Sequence, residues 1–147
     1  MLVMLSAFMS AGCLDFLTHV TSPSTPTTAT LQGMGGSWTS VSPAPTPAPG
    51  TCTDFHWTIT DFTGTTGSGT FTATCAGNVQ VAGTASGTLS GTTVTWSANA
   101  TGTTSGGVSC PIPLTGTATF DGTQFRIPYS GTACGAPLSG TEILRKG

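Results

Sequence analysis

Apolar and polar residues alternate over short runs that are separated by turn signals, and this period of two constrains the fold more than any other feature. In "GTLSGTTVTWSA", Ser90-Gly91 is a two-residue turn signal between two alternating runs. Counting outward from this turn predicts three cross-strand pairs: Leu89 with Thr92, Gly87 with Val94, and Ala85 with Trp96. The apolar positions then share one face, which is the pattern of a β-hairpin with one buried side.

Two further turn signals repeat this pattern. In "LTGTATFDGTQFRIPYSG", a turn at Asp121-Gly122 predicts the pairs Phe120 with Thr123, Ala118 with Phe125, Gly116 with Ile127, and Leu114 with Tyr129. A three-residue turn over Ala76–Asn78 places Ala73 opposite Val81. The chain is therefore predicted to consist of consecutive antiparallel hairpins.

About eight strands are predicted, and the composition supports them. They begin near Ser37, Thr53, Ser68, Val79, Thr92, Val108, Thr123 and Pro137. Only 5% of the residues are charged, and Thr, which favours strands over helices, supplies much of the polarity. We expect an all-β fold, an antiparallel up-and-down meander that closes into a small barrel, with a β-sandwich as the alternative.

Four of the five cysteines lie in the predicted β-domain. Four cysteines allow three connectivities, and the hairpin registers favour Cys52–Cys75 and Cys110–Cys134. Around a turn at Thr63-Gly64, Cys52 lies opposite Cys75, but the same register places Phe71 opposite His56 instead of Trp57. A bulge must therefore interrupt this hairpin. Cys110 falls opposite Ala133, one residue from Cys134, with Pro111 and Pro113 nearby to absorb a bulge.

The fifth cysteine, Cys13, follows a short apolar run and small residues that are typical of a secretory signal. Ala11-Gly12-Cys13 resembles the lipobox of bacterial lipoproteins, which implies cleavage after residue 12, acylation of Cys13 and anchoring in a lipid bilayer. Ser10 departs from that pattern, since an aliphatic residue is usual there. The resemblance implies an extracytoplasmic, membrane-anchored protein, and Leu14 is compatible with sorting to an outer membrane. An ordinary signal peptide and a secreted protein are the alternative.

Composition divides the rest of the chain. Residues 1–12 are the predicted signal peptide, and residues 13–34 form a Thr/Ser/Pro-rich tether with no apolar period. Residues 35–147 form the β-domain, with a Pro-rich loop at 42–50 that is stiff and extended. That Pro-rich stretch could instead continue the tether as a linker.

A three-residue motif at the first strand suggests how the barrel closes. Gly36-Ser37-Trp38 resembles the Gly-x-Trp of the calycin barrels, the superfamily of lipocalins and avidins. The resemblance implies that a basic residue of the last strand covers Trp38, and Arg145 is placed to do so. Prolines within the last three strands depart from a continuous ladder.

Polar chemistry is sparse. With three Lys and Arg residues and a net charge of −2, the chain lacks the cations that nucleic-acid binding requires. No catalytic motif, metal site or cofactor site is predicted, so the domain is interpreted as non-catalytic. Alternation places Asp54 and His56 side by side on the polar face, and we interpret them as solvated surface residues rather than a metal or catalytic pair.

Three functions fit these features. In the first, the barrel binds a small apolar ligand, lined by Trp57, Phe71, Val81, Trp96, Phe120, Phe125 and Tyr129. Small inward residues would leave the room, namely Ala85, Gly87, Ala98, Gly116 and Ala118. In the second, these aromatic residues only fill the core of a structural or surface-interaction lipoprotein. A small hydrolase or inhibitor is the third, and it requires a nucleophile beside His56.

Overall fold

Eight antiparallel strands close into one barrel in the computed structural model, which describes residues 33–147. They are β1 Gly36–Ser40, β2 Cys52–Thr63, β3 Thr66–Cys75, β4 Val79–Ser90, β5 Thr93–Thr103, β6 Ser109–Phe120, β7 Gln124–Ala133 and β8 Ala136–Lys146. Each strand pairs with its neighbours in chain order, and β8 pairs with β1. The predicted up-and-down barrel is confirmed. The signal peptide, Cys13 and the tether up to residue 32 lie outside the described residues.

The predicted turn over residues 76–78 is confirmed, and the one at Ser90-Gly91 is displaced by one residue. Ala73 lies opposite Val81, as expected. Ser90 pairs with Thr93, so the turn consists of Gly91 and Thr92, and Leu89 lies opposite Val94. Gly91 has a φ of +62°, which a two-residue hairpin requires at its first central position. When a turn moves by one residue, each residue's cross-strand partner moves by two positions, so the same residues still face inward.

The turn after β6 also differs from the prediction. Phe120 pairs with Phe125 rather than with Thr123, which makes the connection wider than Asp121-Gly122. The carboxylate oxygen Oδ1 of Asp121 accepts hydrogen bonds from the backbone N–H groups of Thr123 and Gln124 at 2.8 Å, and from the Thr123 hydroxyl at 2.9 Å. These bonds lower the pKa of Asp121, because they stabilise its charged form. The carboxylate thus organises a longer turn than the Asp-Gly pair alone predicts.

The predicted irregularity in the β2–β3 hairpin is confirmed. Cys52 lies opposite Cys75, the register shifts between Thr53 and His56, and Trp57 then pairs with Phe71. A second shift lies between Ile59 and Asp61, and the turn falls at residues 64–65 rather than at Thr63-Gly64. Because of the second shift, Trp57 and Ile59 before it and Phe62 after it all line the inside of the barrel.

Both predicted disulfides are present, Cys52–Cys75 and Cys110–Cys134. Cys134 lies in the turn between Ala133 and Ala136, with a φ of +51°. Cys134 therefore forms the disulfide from a turn rather than from a strand. No bulge occurs at Pro111 and Pro113, which stay in regular register with β5. Both bridges lie at the same end of the barrel, which we call the stapled end; the end with the turns at 64–65, 91–92 and 121–123 is the open end.

The Pro-rich loop is part of the barrel domain. Residues 41–51 connect β1 to β2 at the stapled end, and Pro47 is buried. Backbone hydrogen bonds of 2.9 Å join Val41 to Ile143 and Ser139 to Gly50, so both ends of the loop contact β8. The Ala44 N–H donates to Thr53 Oγ1 at 2.9 Å. The loop therefore continues the seam of the barrel where the short strand β1 ends.

The barrel closes as predicted, but the cation at the seam is Lys146, not Arg145. Trp38 pairs with Lys146, and Nζ of Lys146 lies 5.5 Å from the centre of the Trp38 ring. Leu144 points inward, so the period of two directs Arg145 outward and Lys146 to the inner side of the rim. Met34, which the sequence places at the end of the tether, is 3% exposed and belongs to the core.

Candidate ligand-binding cavity

The interior is filled at the stapled end. Phe55, Phe71, Ile112 and Leu114 are almost fully buried there. Phe55 contacts both Phe71 and Tyr129, with ring centres 6.3 and 5.3 Å apart. The Tyr129 hydroxyl donates to the carbonyl oxygen of Cys52 and accepts from the N–H of the same residue, both at 2.7 Å. Burial raises the pKa of Tyr129 above its usual value of 10, so the phenol stays a donor at neutral pH.

A cavity of about 80 Å³, partly open to solvent, lies toward the open end of the interior. Because one water needs roughly 10–15 Å³ on this measure, the cavity has room for several waters or part of a small organic molecule. Its lining consists of Met34, Trp38, Trp57, Ile59, Phe62, Thr65, Gly67, Ser68, Gly69, Ala85, Ser86, Gly87, Leu89, Val94, Trp96, Ala118, Phe125, Ile127 and Leu144. The surface is almost wholly apolar and carries no charged side chain.

Small residues on the inner face create this space. Ala85, Gly87 and Ala118 line the cavity, as predicted, whereas Ala98 and Gly116 do not. Trp96 lies between the strands that carry these small residues, and its ring contacts that of Trp57 in an edge-to-face arrangement with the ring centres 5.4 Å apart. The combination of large and small side chains leaves a gap at this end. The aromatic cluster at the stapled end leaves none.

All seven predicted lining residues point into the barrel, but only three line the cavity. Trp57, Trp96 and Phe125 do so, whereas Phe71, Val81, Phe120 and Tyr129 are buried in filled parts of the core. The large apolar lining residues that sequence reasoning missed are Met34, Trp38, Ile59, Phe62, Leu89, Val94, Ile127 and Leu144. Alternation alone would have added Leu89 and Ile127, but no pattern indicated Met34.

The three tryptophans around the cavity differ in their indole N–H groups. The Trp38 N–H donates to the carbonyl oxygen of Met34 at 2.8 Å. Among the described residues, the N–H groups of Trp57 and Trp96 are buried and have no hydrogen-bond partner. Both nitrogens are themselves inaccessible, and Nε1 of Trp96 lies against Gly116, which is outside the cavity lining, so the rings rather than their N–H groups form the wall.

Residues 33 and 34 lie at the rim of the cavity. Met34 covers one side, held by its hydrogen bond to Trp38, and Nζ of Lys146 donates to the carbonyl oxygen of Gly33 at 3.0 Å. The ammonium group lies over Trp38, a cation–π contact. Residues 33–34 are therefore fixed beside the opening, and this cation is outside the cavity lining.

Asp54 and His56 lie side by side on the outer surface of β2, as the alternation predicted. Oδ1 of Asp54 is 3.2 Å from Nε2 of His56, and the side chains are 49% and 55% exposed. Neither residue lines the cavity. An exposed pair of this kind contributes little to stability.

Glu142 is a half-buried carboxylate at the seam. Its Oε2 accepts a hydrogen bond from Ser40 Oγ at 2.8 Å, and Ser40 Oγ accepts one from the Phe55 N–H at 2.8 Å. Burial raises the pKa of Glu142, and the bond from Ser40 opposes this change in part. The contacts join β8, β1 and β2 where β1 ends, so the role of this group is structural.

Within residues 33–147, no three His, Cys, Asp or Glu side chains come close enough together to bind a metal ion.

A search of that same part of the chain for a helix of sufficient length and hydrophobicity to span a membrane finds none.

The chain was compared with known proteins at the levels of family, sequence and structure. No family model matches it, and neither a curated protein nor a solved structure is significantly similar to it. The resemblances to the lipobox and to the calycin barrels therefore stay predictions.

Proposed function

We propose that this protein is an exported, lipid-anchored envelope protein whose barrel binds a small apolar ligand at its open end, without catalysis. The observation that carries the proposal is the cavity of about 80 Å³ with an apolar, uncharged lining. A filled interior would instead favour a structural or surface-interaction lipoprotein. The third alternative, a small hydrolase or inhibitor, lacks support because His56 lies outside the cavity.

Burial of apolar surface supplies the binding free energy in this proposal. Each Å² of apolar surface removed from water contributes about 25 cal/mol. Trp57 and Trp96 give the cavity aromatic walls, and Gly87 adds a flat patch of backbone to the lining. A lining of this kind suits a compact hydrocarbon or a ring. The absence of charged groups from the lining disfavours an ionic ligand, whose desolvation would have no compensating partner there.

A titration with methylenecyclopentane, a small uncharged hydrocarbon, tests this proposal. We expect saturable shifts of backbone amide NMR signals that are confined to strand segments around the cavity, such as those of Ala85 and Ala118. The variant Ala118→Leu should abolish these shifts, because the added atoms would occupy the cavity.

The matched control is Ala73→Leu, at a residue that is 4% exposed and does not line the cavity. This variant should keep the binding but lose stability, by about 1–3 kcal/mol, because it overpacks a filled region. Shifts spread over the outer surface, or no saturation in the wild-type protein, would refute ligand binding at the open end.

Membrane anchoring through Cys13 is the second part of the proposal. Disulfides persist in oxidising, extracytoplasmic compartments, and the two bridges are compatible with such a location. We expect the intact mass of membrane-extracted protein to correspond to a chain cleaved before Cys13 and carrying acyl groups. The Cys13→Ser variant should no longer fractionate with membranes. An unmodified Cys13 on a released protein would support the secreted alternative.

A further inference from the structure

From the positions of the cations we infer that the outer wall of β7 and β8 at the open end docks on anionic phospholipid headgroups, so that this end of the barrel faces the membrane. The inference rests on the lipid anchor of the proposed function and adds an orientation to it. The whole sequence contains three Lys and Arg residues, namely Arg126, Arg145 and Lys146. All three are exposed, and all three lie where β7 begins and β8 ends.

The strand register brings these cations together. Arg145 pairs with Gln124, the first residue of β7, and Arg126 pairs with Ile143, so the two arginines are diagonal neighbours on adjacent strands. The period of two directs both of them outward. Diagonal neighbours of this kind are about 7–8 Å apart, a spacing that two long side chains can close around one phosphate group. Lys146 extends the patch to the rim.

The cations of this patch are available to an external partner. Among the described residues, none of them forms a salt bridge. Lys146 donates one hydrogen bond to Gly33, and an ammonium group has three donors. Two carboxylates, Asp61 and Asp121, also lie at the open end, but that of Asp121 accepts hydrogen bonds from its own turn. The wall of β7 and β8 therefore has an excess of positive charge.

The stapled end offers an anionic surface no comparable contact. It has no Lys or Arg, and Asp54, whose side chain is 49% exposed, lies there at the start of β2. Each Lys or Arg near an anionic membrane favours docking roughly 5-fold. An anionic membrane thus attracts one end of the barrel and not the other.

The predicted tether is long enough to permit either orientation. Residues 33 and 34 are its last two, and they lie at the rim beside Lys146. Cys13 precedes Gly33 by 20 residues, which span at most about 70 Å when extended. A strand of 12 residues is shorter, at roughly 40 Å. The charges therefore decide which end docks, and the high effective concentration that an anchor provides lets a weak attraction suffice.

Cross-linking to lipid headgroups tests this orientation. The membrane-extracted, acylated protein is reconstituted into vesicles of equal parts phosphatidylglycerol and phosphatidylcholine, with a small amount of lipid that carries a photoreactive headgroup. Mass spectrometry then locates the adducts. We expect them on β7 and β8 near Arg126 and Arg145, and few near Val108 at the stapled end. Vesicles of phosphatidylcholine alone, or high salt, should remove this preference.

Two double variants separate the role of charge from that of the anchor. Arg126→Gln with Arg145→Gln removes two cations and should lower the docked-to-free ratio roughly 25-fold. The matched control, Arg126→Lys with Arg145→Lys, keeps the charges and should keep the adduct pattern. Both residues are exposed on the outer wall, so the thermal unfolding of both variants should match that of the wild-type protein.

The outcomes distinguish this inference from the proposed function. If the acylated protein forms adducts evenly at both ends, or in the same pattern in both kinds of vesicle, the docking surface is refuted while the anchor stands. Equal adduct yields from the Gln and Lys variants lead to the same conclusion. If the protein carries no acyl group and does not remain with the vesicles, the anchor and the orientation fail together.

Discussion

Glycine residues mark the places where neighbouring strands of this barrel approach most closely. A Cβ atom added to Gly116 would overlap the carbonyl oxygen of Pro128, and one added to Gly131 would overlap that of Pro113. The β6–β7 ladder is interrupted between Thr115 and Thr119, opposite Pro128, which has no N–H to donate. The absence of a side chain at these two positions lets the strands bend toward each other.

Gly116→Ala should therefore destabilise the protein by about 1–3 kcal/mol, because the backbone of β7 must move to admit the methyl group. Gly106→Ala is the control: this residue lies in a loop without a positive φ, and only Thr104 Oγ1, at 3.9 Å, is near the added atom. Its effect should stay within about 1 kcal/mol, in either direction. Denaturant unfolding measures both, and equal stabilities of the two variants would contradict this account of the bend.

Glu142 predicts a pH dependence of stability with a definite sign. Burial raises its folded-state pKa above 4.5, so the folded protein binds this proton more tightly than the unfolded chain does. Stability from this group is present in full below pH 4.5 and is lost as the pH rises through the raised pKa. Glu142→Gln has no proton to lose and should keep Ser40 as a donor.

Relative to wild type, Glu142→Gln should therefore gain stability as the pH rises from 4.5 toward neutrality. Urea unfolding of both proteins across this range measures the difference. Asp121 does not interfere, since its pKa is lowered and its effect falls below pH 3.8. A difference between the two proteins that is constant with pH would show that Glu142 titrates as an ordinary exposed carboxylate.

At the scale of the elements, the hairpins show that the sequence pattern predicts strand faces better than turn positions. Alternation correctly predicted the inward face of the strands β3 to β7, because one buried side requires it. It placed two turns one residue too early, since Gly91 and Gly64 each occupy the first central position rather than the second. The pairing of Trp57 with Phe71 required a bulge, and the cysteine register revealed that irregularity in advance.

The candidate site was harder to predict from the sequence than the fold. Trp57 and Trp96 were identified because they are large and point inward. That a gap remains beside them depends on which small residues lie on the strands that flank Trp96, and Ala118 is 22 residues from Trp96 along the chain. Arg145 was a wrong choice for the seam for a local reason: alternation from Leu144 directs Lys146, not Arg145, to the inner side.

The disulfides should stabilise the fold without affecting ligand binding at the open end. Replacement of Cys110 and Cys134 by Ser removes a cross-link between residues 24 apart, which should cost about 3 kcal/mol through the entropy of the unfolded chain. Because this bond is at the end opposite the cavity, binding of methylenecyclopentane should be unchanged in the folded variant. A loss of binding with retained fold would show that the two ends are coupled.

At the scale of the whole molecule, the barrel is asymmetric along its axis. One end has both disulfides, the Pro-rich loop and a filled aromatic core. The other has short turns, inward-facing Gly and Ala residues, and the cavity beside Gly33 and Met34. Both covalent cross-links are thus at the end away from the proposed binding site, and residues of the strands form most of the site's lining.

The most direct test of this account is a crystal structure of the protein under xenon gas, because xenon enters dry apolar cavities and is readily located. We predict xenon bound between Trp57, Trp96 and Ala118, with the lining side chains in place. No xenon in the interior, with Trp57 or Trp96 collapsed against Gly87 and Ala118, would show that the barrel is filled from end to end and would contradict the proposed function.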